Sequence, residues 1–396
     1  MDHDIVISGG GIAGLTAAAA FASAGFDVLC VDPSPPVMDG GAEGADLRTT
    51  AFLQPAQTFL RNAGLWERLA PHAMPLEVMR IVDAGGETPE PRVIKDFESQ
   101  DISDEPFGWN LPNWLLRREM VARLAEMDRV TFRPGTATTS LFTREGEARV
   151  GLSDGTRVRC RLVIAADGRA SPMRQAAGID VKTTRFGQKA LAFAVTHPIP
   201  HGNVSTEIHR TGGPFTLVPL PDRDGRPCSA IVWMEEGPKA ERLLALEPDQ
   251  FEAEMSERSC HLFGPLKLAS RRTIWPIIAQ EAEALCGQRL ALVAEAAHVV
   301  PPIGAQGLNM SLKDMAALLD LAVAAPERLG DAKMLDAYSR KRMPDIRARV
   351  AGITLLNKTS MLSNPMMRDA RAKALDALYT LKPVRKTLMQ LGLGAG

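Results

Sequence analysis

The stretch "DIVISGGGIAGLTAAAAFASAGFDVLCVD", Asp4 to Asp32, decides the fold. Ile5, Val6 and Ile7 form a β-branched run suited to a buried parallel strand. Gly9, Gly11 and Gly14 then turn the chain with G-x-G-x-x-G spacing. Leu15 to Ala24 is alanine-rich and of high helix propensity, and Gly25 stops it. Val28 to Val31 form a second apolar strand ending at Asp32, and Pro33 and Pro35 break it. The result is a complete βαβ unit of about 30 residues. Residues without a Cβ let the backbone approach a pyrophosphate, and the helix N-terminus behind them favours the anion. Asp32, at the end of the second strand, can accept bonds from ribose hydroxyls. The glycine spacing alone would also suit a tight turn beside a small-residue helix. The flanking strands and the acidic residue favour a dinucleotide.

Two later segments extend this reading. "RLVIAADGRASPMR", Arg161 to Arg174, places Asp167-Gly168 after a buried-strand candidate, which alone could be a simple turn. "LVAEAAHVVPPIGAQGLNMSLKD", Leu292 to Asp314, runs from a strand to an acidic residue, a rigid Pro301-Pro302 pair and a glycine-containing loop before a helix. Gly304 and Gly307 allow backbone to approach a flat ring, and Asn309 offers an amide for ring carbonyls. The helix start there can stabilise negative charge on a reduced ring. His298 in this segment is a candidate base, though a histidine beside a strand end is more often structural. From Ile179 to Arg272, alternating stretches such as Phe215 to Leu220 and Ser229 to Met234 lie between Pro and Gly clusters, as in antiparallel sheet. From Ala332 onward the chain reads as helical.

The expected fold class is α/β, a Rossmann-like nucleotide-binding domain with an inserted, mainly antiparallel β-sheet substrate domain and a helical C-terminal region. Residues 1–75, 110–178 and 273–345 are expected to build the first, 76–109 and 179–272 the second, and 346–396 the third. At 396 residues the chain can bury two lobes, and a net charge of -1 selects neither nucleic acid nor an acidic substrate. No apolar run is long enough to span a bilayer, and the acidic start lacks the basic region of a signal peptide, so a cytoplasmic protein is expected. The five cysteines are scattered and the histidines lack ligand spacing, so no disulfide framework and no metal site are expected.

In this order and at these separations, the three motifs resemble the single-component flavin monooxygenases built like para-hydroxybenzoate hydroxylase. "DLRTTAFLQPAQTFLRNAGLWERL" (Asp46 to Leu69), "GPFTLVPLP" (Gly213 to Pro221) and the tail from Tyr338 to Pro365 narrow the resemblance to the ubiquinone-biosynthesis FAD-dependent hydroxylases. The resemblance implies FAD as cofactor and NADPH or NADH as reductant. Gly9, Gly11, Ile12, Ala13, Gly14 and Asp32 would then hold the adenosine half. Arg48 would reach the ribose or pyrophosphate, and Arg117 the ribityl chain. Asp167 would serve both FAD and the nicotinamide cofactor. Pro302 would line the ring face where oxygen reacts, with Gly304, Gly307, Leu308 and Asn309 around the pyrimidine edge. Where the family carries Gly-Asp-Ala-Ala-His, this chain has Ala294, Glu295, Ala296, Ala297 and His298. Glu295 keeps the carboxylate with an added methylene, and Ala294 adds a Cβ to bare backbone.

The implied reaction hydroxylates a polyprenylated phenol, with Phe215 and Trp233 as candidate walls for the substrate ring. Between Arg340 and Lys386 twelve basic side chains face three acidic ones, and Met361, Leu362, Met366 and Met367 add apolar surface. That region would suit a membrane surface at its inner face, or a quinone-biosynthesis complex; a helical tail packed on the flavin lobe fits equally. Three other readings stand beside the first: a hydroxylase of a soluble aromatic compound, a flavin reductase of prenyl chains, and a non-catalytic flavin-binding subunit of a biosynthetic complex.

Overall fold

The computed structural model describes residues 1–86, 88–361 and 379–393. Its first sheet is six-stranded, in the order Cys286–Gly287, Leu290–Leu292, Leu162–Ala165, Ile5–Ser8, Val28–Asp32 and Val130–Pro134. All neighbours are parallel except the antiparallel edge strand Cys286–Gly287. The strands Ile5–Ser8, Leu162–Ala165 and Leu290–Leu292 are buried along their whole length, which is why they read as unbroken apolar runs. Against them lies the helix Ile12–Ser23, buried from Gly14 to Ala22. Its small side chains are needed on every face because sheet and neighbouring helices approach it closely.

A second, nine-stranded sheet is mainly antiparallel and carries Val78–Asp83, Val93–Glu98, Val181–Thr196, Val204–His209, Pro214–Arg223, Arg226–Glu236 and Thr273–Ala282. The pair Val78–Asp83 and Val204–His209 is parallel, which the long connection between them permits. Thr273–Ala282 pairs along Val181–Ala192, so this sheet runs on to Ala282, past the boundary expected at 272. Gly108–Pro112 and Met74–Leu76 instead join Thr49–Leu53 in a separate three-stranded sheet. The short strand His298–Val299 pairs with Gln280 and Glu281, stitching the third motif to the large sheet.

The outer face of the large sheet is covered by the helices Gly237–Ala245 and Pro248–Arg258, forming a second core around Phe193, Phe215, Trp233 and Phe251. The long helix Ala332–Ser360 starts at Asp331, whose side chain accepts from Met334 N, and is held to the first sheet by a Tyr338 hydroxyl donating to Leu292 O at 2.8 Å. Leu362, Met366 and Met367, with Arg368, Arg371 and Lys373, lie outside the described residues. Among the described residues no helix is long and apolar enough to cross a membrane.

Candidate active site

A cavity of about 660 Å³ runs between the two sheets, lined by residues of all three motifs. At one end Gly9, Gly11, Ile12, Ala13 and Asp32 face it. The helix Ile12–Ser23 starts from an extended Gly11 with no side-chain cap, so its first N–H groups are available to an anion. The glycines serve different ends. A Cβ at Gly9 (φ +104°) would lie 2.4 Å from Ala166 O, and one at Gly14 would lie 1.8 Å from Gly9 O. A Cβ at Gly11 would meet nothing within 4 Å, so that backbone is bare towards the cavity. Gly14 therefore serves the turn itself and does not line the cavity. The Asp32 carboxylate accepts from Gly10 N at 2.7 Å and Ser34 N at 2.9 Å, which fixes it at the cavity wall.

Asp46 organises the basic groups. It accepts a two-pronged bond from Arg48 at 2.8 and 2.7 Å and one from Asn113 at 3.0 Å, with Arg117 at 4.0 Å. Burial alone would raise the Asp46 carboxyl, but Arg48, Asn113 and Arg117 hold it below the usual range. Arg48 also sits over the Trp275 ring, 5.6 Å from its centroid. Both arginines line the cavity, and the Arg117 Nε is buried without a partner in the protein.

Asp167 accepts from Ser8 Oγ at 3.0 Å and Met173 N at 3.2 Å, both on Oδ2. Its Oδ1 is buried and has no protein partner, and burial raises the acid's pKa. In the third motif Pro302, Gly304, Gly307 and Leu308 line the cavity, where Ala305, left-handed at φ +56°, opens the helix Gln306–Ala324 without a side-chain cap. Glu295 also lines it, with its carboxylate 3.6 Å from Arg169. Ala294, where the family has glycine, is held at φ +55°.

Three expected roles, those of Asn309, Phe215 and Trp233, are corrected by these positions. The Asn309 amide is not free for a ring: Oδ1 accepts from Leu53 N at 2.9 Å, and Nδ2 donates to Ala51 O at 2.8 Å and Ala305 O at 2.6 Å. It clamps the third motif to the strand Thr49–Leu53. His298 lines the cavity, and its Nε2 meets the buried Asp314 carboxylate at 2.6 Å, which also accepts from Arg342 Nε at 2.8 Å. Phe215 and Trp233 are fully buried under the helices of the second core. Their strand neighbours Thr216 and Val232 face the cavity instead, together with Val218, because successive side chains take opposite faces.

Sequence reasoning missed Asp46, Trp275, Asn110 and Glu207, all of which line the cavity. Glu207 carried a usable signal, a charged residue in the alternating strand Val204–His209. Asp46 carried none, since its importance lies in arginines that are distant in sequence.

Uncapped helix N–H groups beside a bare Gly11, an unpartnered Arg117 Nε and an unpartnered Asp167 Oδ1 together suit a flavin dinucleotide, with phosphate and hydroxyl groups for each. The fold and site define a flavoprotein. The chain belongs to the FAD binding domain family, which it matches over residues 2–352, and is an FAD-dependent monooxygenase. It is 32% identical to ubiquinone hydroxylase UbiL of Rhodospirillum rubrum over 99% of this chain and 89% of that protein. It is 25% identical to 3-demethoxyubiquinol 3-hydroxylase of Escherichia coli over 99% and 98%. The structure of p-nitrophenol 4-monooxygenase from Pseudomonas putida superposes with a TM-score of 0.79 at 18% identity, covering 99% of this chain and 98% of that one, and shares the fold.

Proposed function

We propose that the chain hydroxylates the ring of a polyprenylated phenol in ubiquinone biosynthesis, using O2 and NADPH or NADH. The observation that carries this reading is one continuous cavity joining the FAD motifs to a largely apolar bay formed by Leu53, Leu76, Val78, Phe107, Val218 and Val232. The near full-length similarity to ubiquinone hydroxylases supports the pathway.

When bound, FAD supplies the activation of O2 and its transfer to the ring. The chain's own part is binding, orientation and exclusion of water. Gly11, Ile12 and Ala13 would meet the pyrophosphate through backbone N–H groups, and Asp32 the adenosine ribose. Arg48 and Arg117, aimed by Asp46, would meet phosphate or ribityl oxygens, and Asp167 Oδ1 would accept from a hydroxyl. Pro302, Gly304, Gly307 and Leu308 would flank the ring system. Asn309 and the His298–Asp314–Arg342 chain act behind it by fixing that loop. Glu295 would meet the ribityl region from a slightly withdrawn position, beside Arg169.

The prenyl chain implies access from a bilayer, and we place that contact at the inner face of the membrane. Leu355 and Leu356 are exposed on the helix Ala332–Ser360, close in sequence to Lys358, and support a peripheral contact. Arg342, Arg347, Arg349 and Arg385 do not contribute freely, since each pairs with a carboxylate of the protein. Co-sedimentation with anionic vesicles, lost when Leu355 and Leu356 become serine, tests this contact. The quinone-lipid mass profile of the host after gene deletion tests the function. A prenylated phenol lacking one hydroxyl should accumulate; a normal profile in a host without a second such hydroxylase refutes the pathway.

A further inference from the structure

The large sheet contributes Val78, Met79, Ser205, Thr216, Val218 and Val232 to the bay, and between Val78 and Ile278 its one ionisable lining side chain among the described residues is Glu207. Glu207 is not a surface charge. Its side chain is 18% exposed, and His209 Nε2, two residues along the same strand face, lies 2.7 Å from its Oε1. The His209 Nδ1 is itself buried with no protein partner, so the imidazole is committed to the carboxylate. From the neighbouring strand Gly108–Pro112, Asn110 donates its Nδ2 to Pro219 O at 2.9 Å and leaves Oδ1 buried and unpartnered. That amide is 1% exposed and lines the same cavity. The bay therefore offers hydrogen-bond acceptors from two strands and, among the described residues, no lysine or arginine of its own, whereas the lining arginines Arg48, Arg117 and Arg169 belong to the cofactor motifs.

We propose that Glu207, positioned by His209, sets substrate specificity: it accepts a hydrogen bond from the hydroxyl of a neutral phenol and excludes rings that bear a carboxylate. A carboxylate in this bay would find another carboxylate and an amide oxygen in place of donors, in a setting where an unpaired charge is costly. A phenolic hydroxyl instead brings the donor that these acceptors lack. This rests on the phenol-hydroxylase reading and names the chemical class that the site accepts.

The test uses FAD-loaded protein and the change in flavin absorbance as para-cresol or para-hydroxybenzoate is titrated in. Wild-type protein should bind para-cresol at least about tenfold more tightly than para-hydroxybenzoate, the scale of one hydrogen bond to a charged group. Glu207→Gln, which removes the charge and keeps an acceptor, should collapse that ratio towards one by raising para-hydroxybenzoate affinity. Glu207→Leu should weaken para-cresol by about tenfold. His209→Ala should move the ratio part of the way, and His209→Gln, still able to donate to Glu207, should restore it. FAD content reports folding, and if Glu207→Gln does not fold, Glu207→Ser is read in its place. A ratio unchanged in the folded Glu207 variants overturns the proposal. That failure is separable from failure of the pathway: the ratio is measured with purified protein, whereas the pathway falls only on a normal quinone profile in the deletion host.

Discussion

Ala294→Gly is expected to stabilise the protein, an unusual direction for a substitution in a buried loop. Ala294 is 4% exposed and sits at φ +55°, where an L-residue's Cβ crowds the following carbonyl. That conformation costs an alanine roughly 1–2 kcal/mol, and glycine adopts it freely. Glycine also gives the unfolded chain more freedom, which takes back about 0.4–1 kcal/mol. The net gain is about 1 kcal/mol. With an unfolding entropy of about 2.1 cal/mol/K per residue, a chain of 396 residues shifts its Tm by only about 1 °C for that gain. The informative experiment is therefore a series. Ala294→Val adds a β-branched side chain at positive φ and two carbons to a filled site, and should cost about 2 kcal/mol or more. Parallel urea titrations of wild type, Ala294→Gly and Ala294→Val, followed by tryptophan fluorescence without cofactor, should order the midpoints Gly above Ala above Val. A glycine variant at or below wild type would show that Ala294 is unstrained. The withdrawn placement of Glu295 would then need another cause than the backbone beneath it.

Other outcomes follow from the same geometry. Arg117→Met should loosen FAD by roughly 10- to 100-fold, because it removes a buried Nε donor that the protein itself leaves unpartnered for the cofactor, and flavin fluorescence released on dilution measures it. Arg342→Met should destabilise the fold by about 3–5 kcal/mol, since it strips Asp314 of its cation and leaves a fully buried carboxylate with His298 alone; the urea midpoint reports it. Asp167→Asn retains an acceptor for Ser8 and Met173. The wild-type acid's pKa is raised by burial, so its folded-state penalty is absent below the unfolded pKa and grows as pH rises through the folded value. The asparagine variant without cofactor should accordingly gain least on wild type below the unfolded pKa and most at neutral pH, while holding FAD less tightly. Urea midpoints across pH that stay parallel would contradict this.

Much of the nucleotide end was legible because its chemistry leaves little choice of residue. A backbone that must touch a pyrophosphate needs glycine, and the strand and helix around Gly9, Gly11 and Gly14 have periods that can be read locally. Pro302, Gly304 and Gly307 stood out as bare or rigid backbone in a short span, and all three line the cavity. Side-chain roles were less legible. Asn309 looked free to meet a ring until the strand Thr49–Leu53, more than two hundred positions earlier in the chain, was seen to take both ends of its amide. The pairing of His298 with Asp314, itself held by Arg342, was equally out of reach of local reading.

The strand Pro214–Arg223 marks the division most clearly. Its alternation foretold a sheet with two different faces, but both faces carry residues able to wall a cavity. Only the helices Gly237–Ala245 and Pro248–Arg258, packed over Phe215 and Trp233, decide that Thr216 and Val218 face the cavity. The sequence by itself determined the dinucleotide turn, the buried parallel strands and the presence of a second sheet, because these follow from local sterics and from periods of two and 3.6 residues. Tertiary structure alone decided which face of each strand meets the cavity, which polar groups are already spent on the protein, and that Glu207 stands in the bay. Those outcomes depend on partners brought together only when the two sheets close over one cavity.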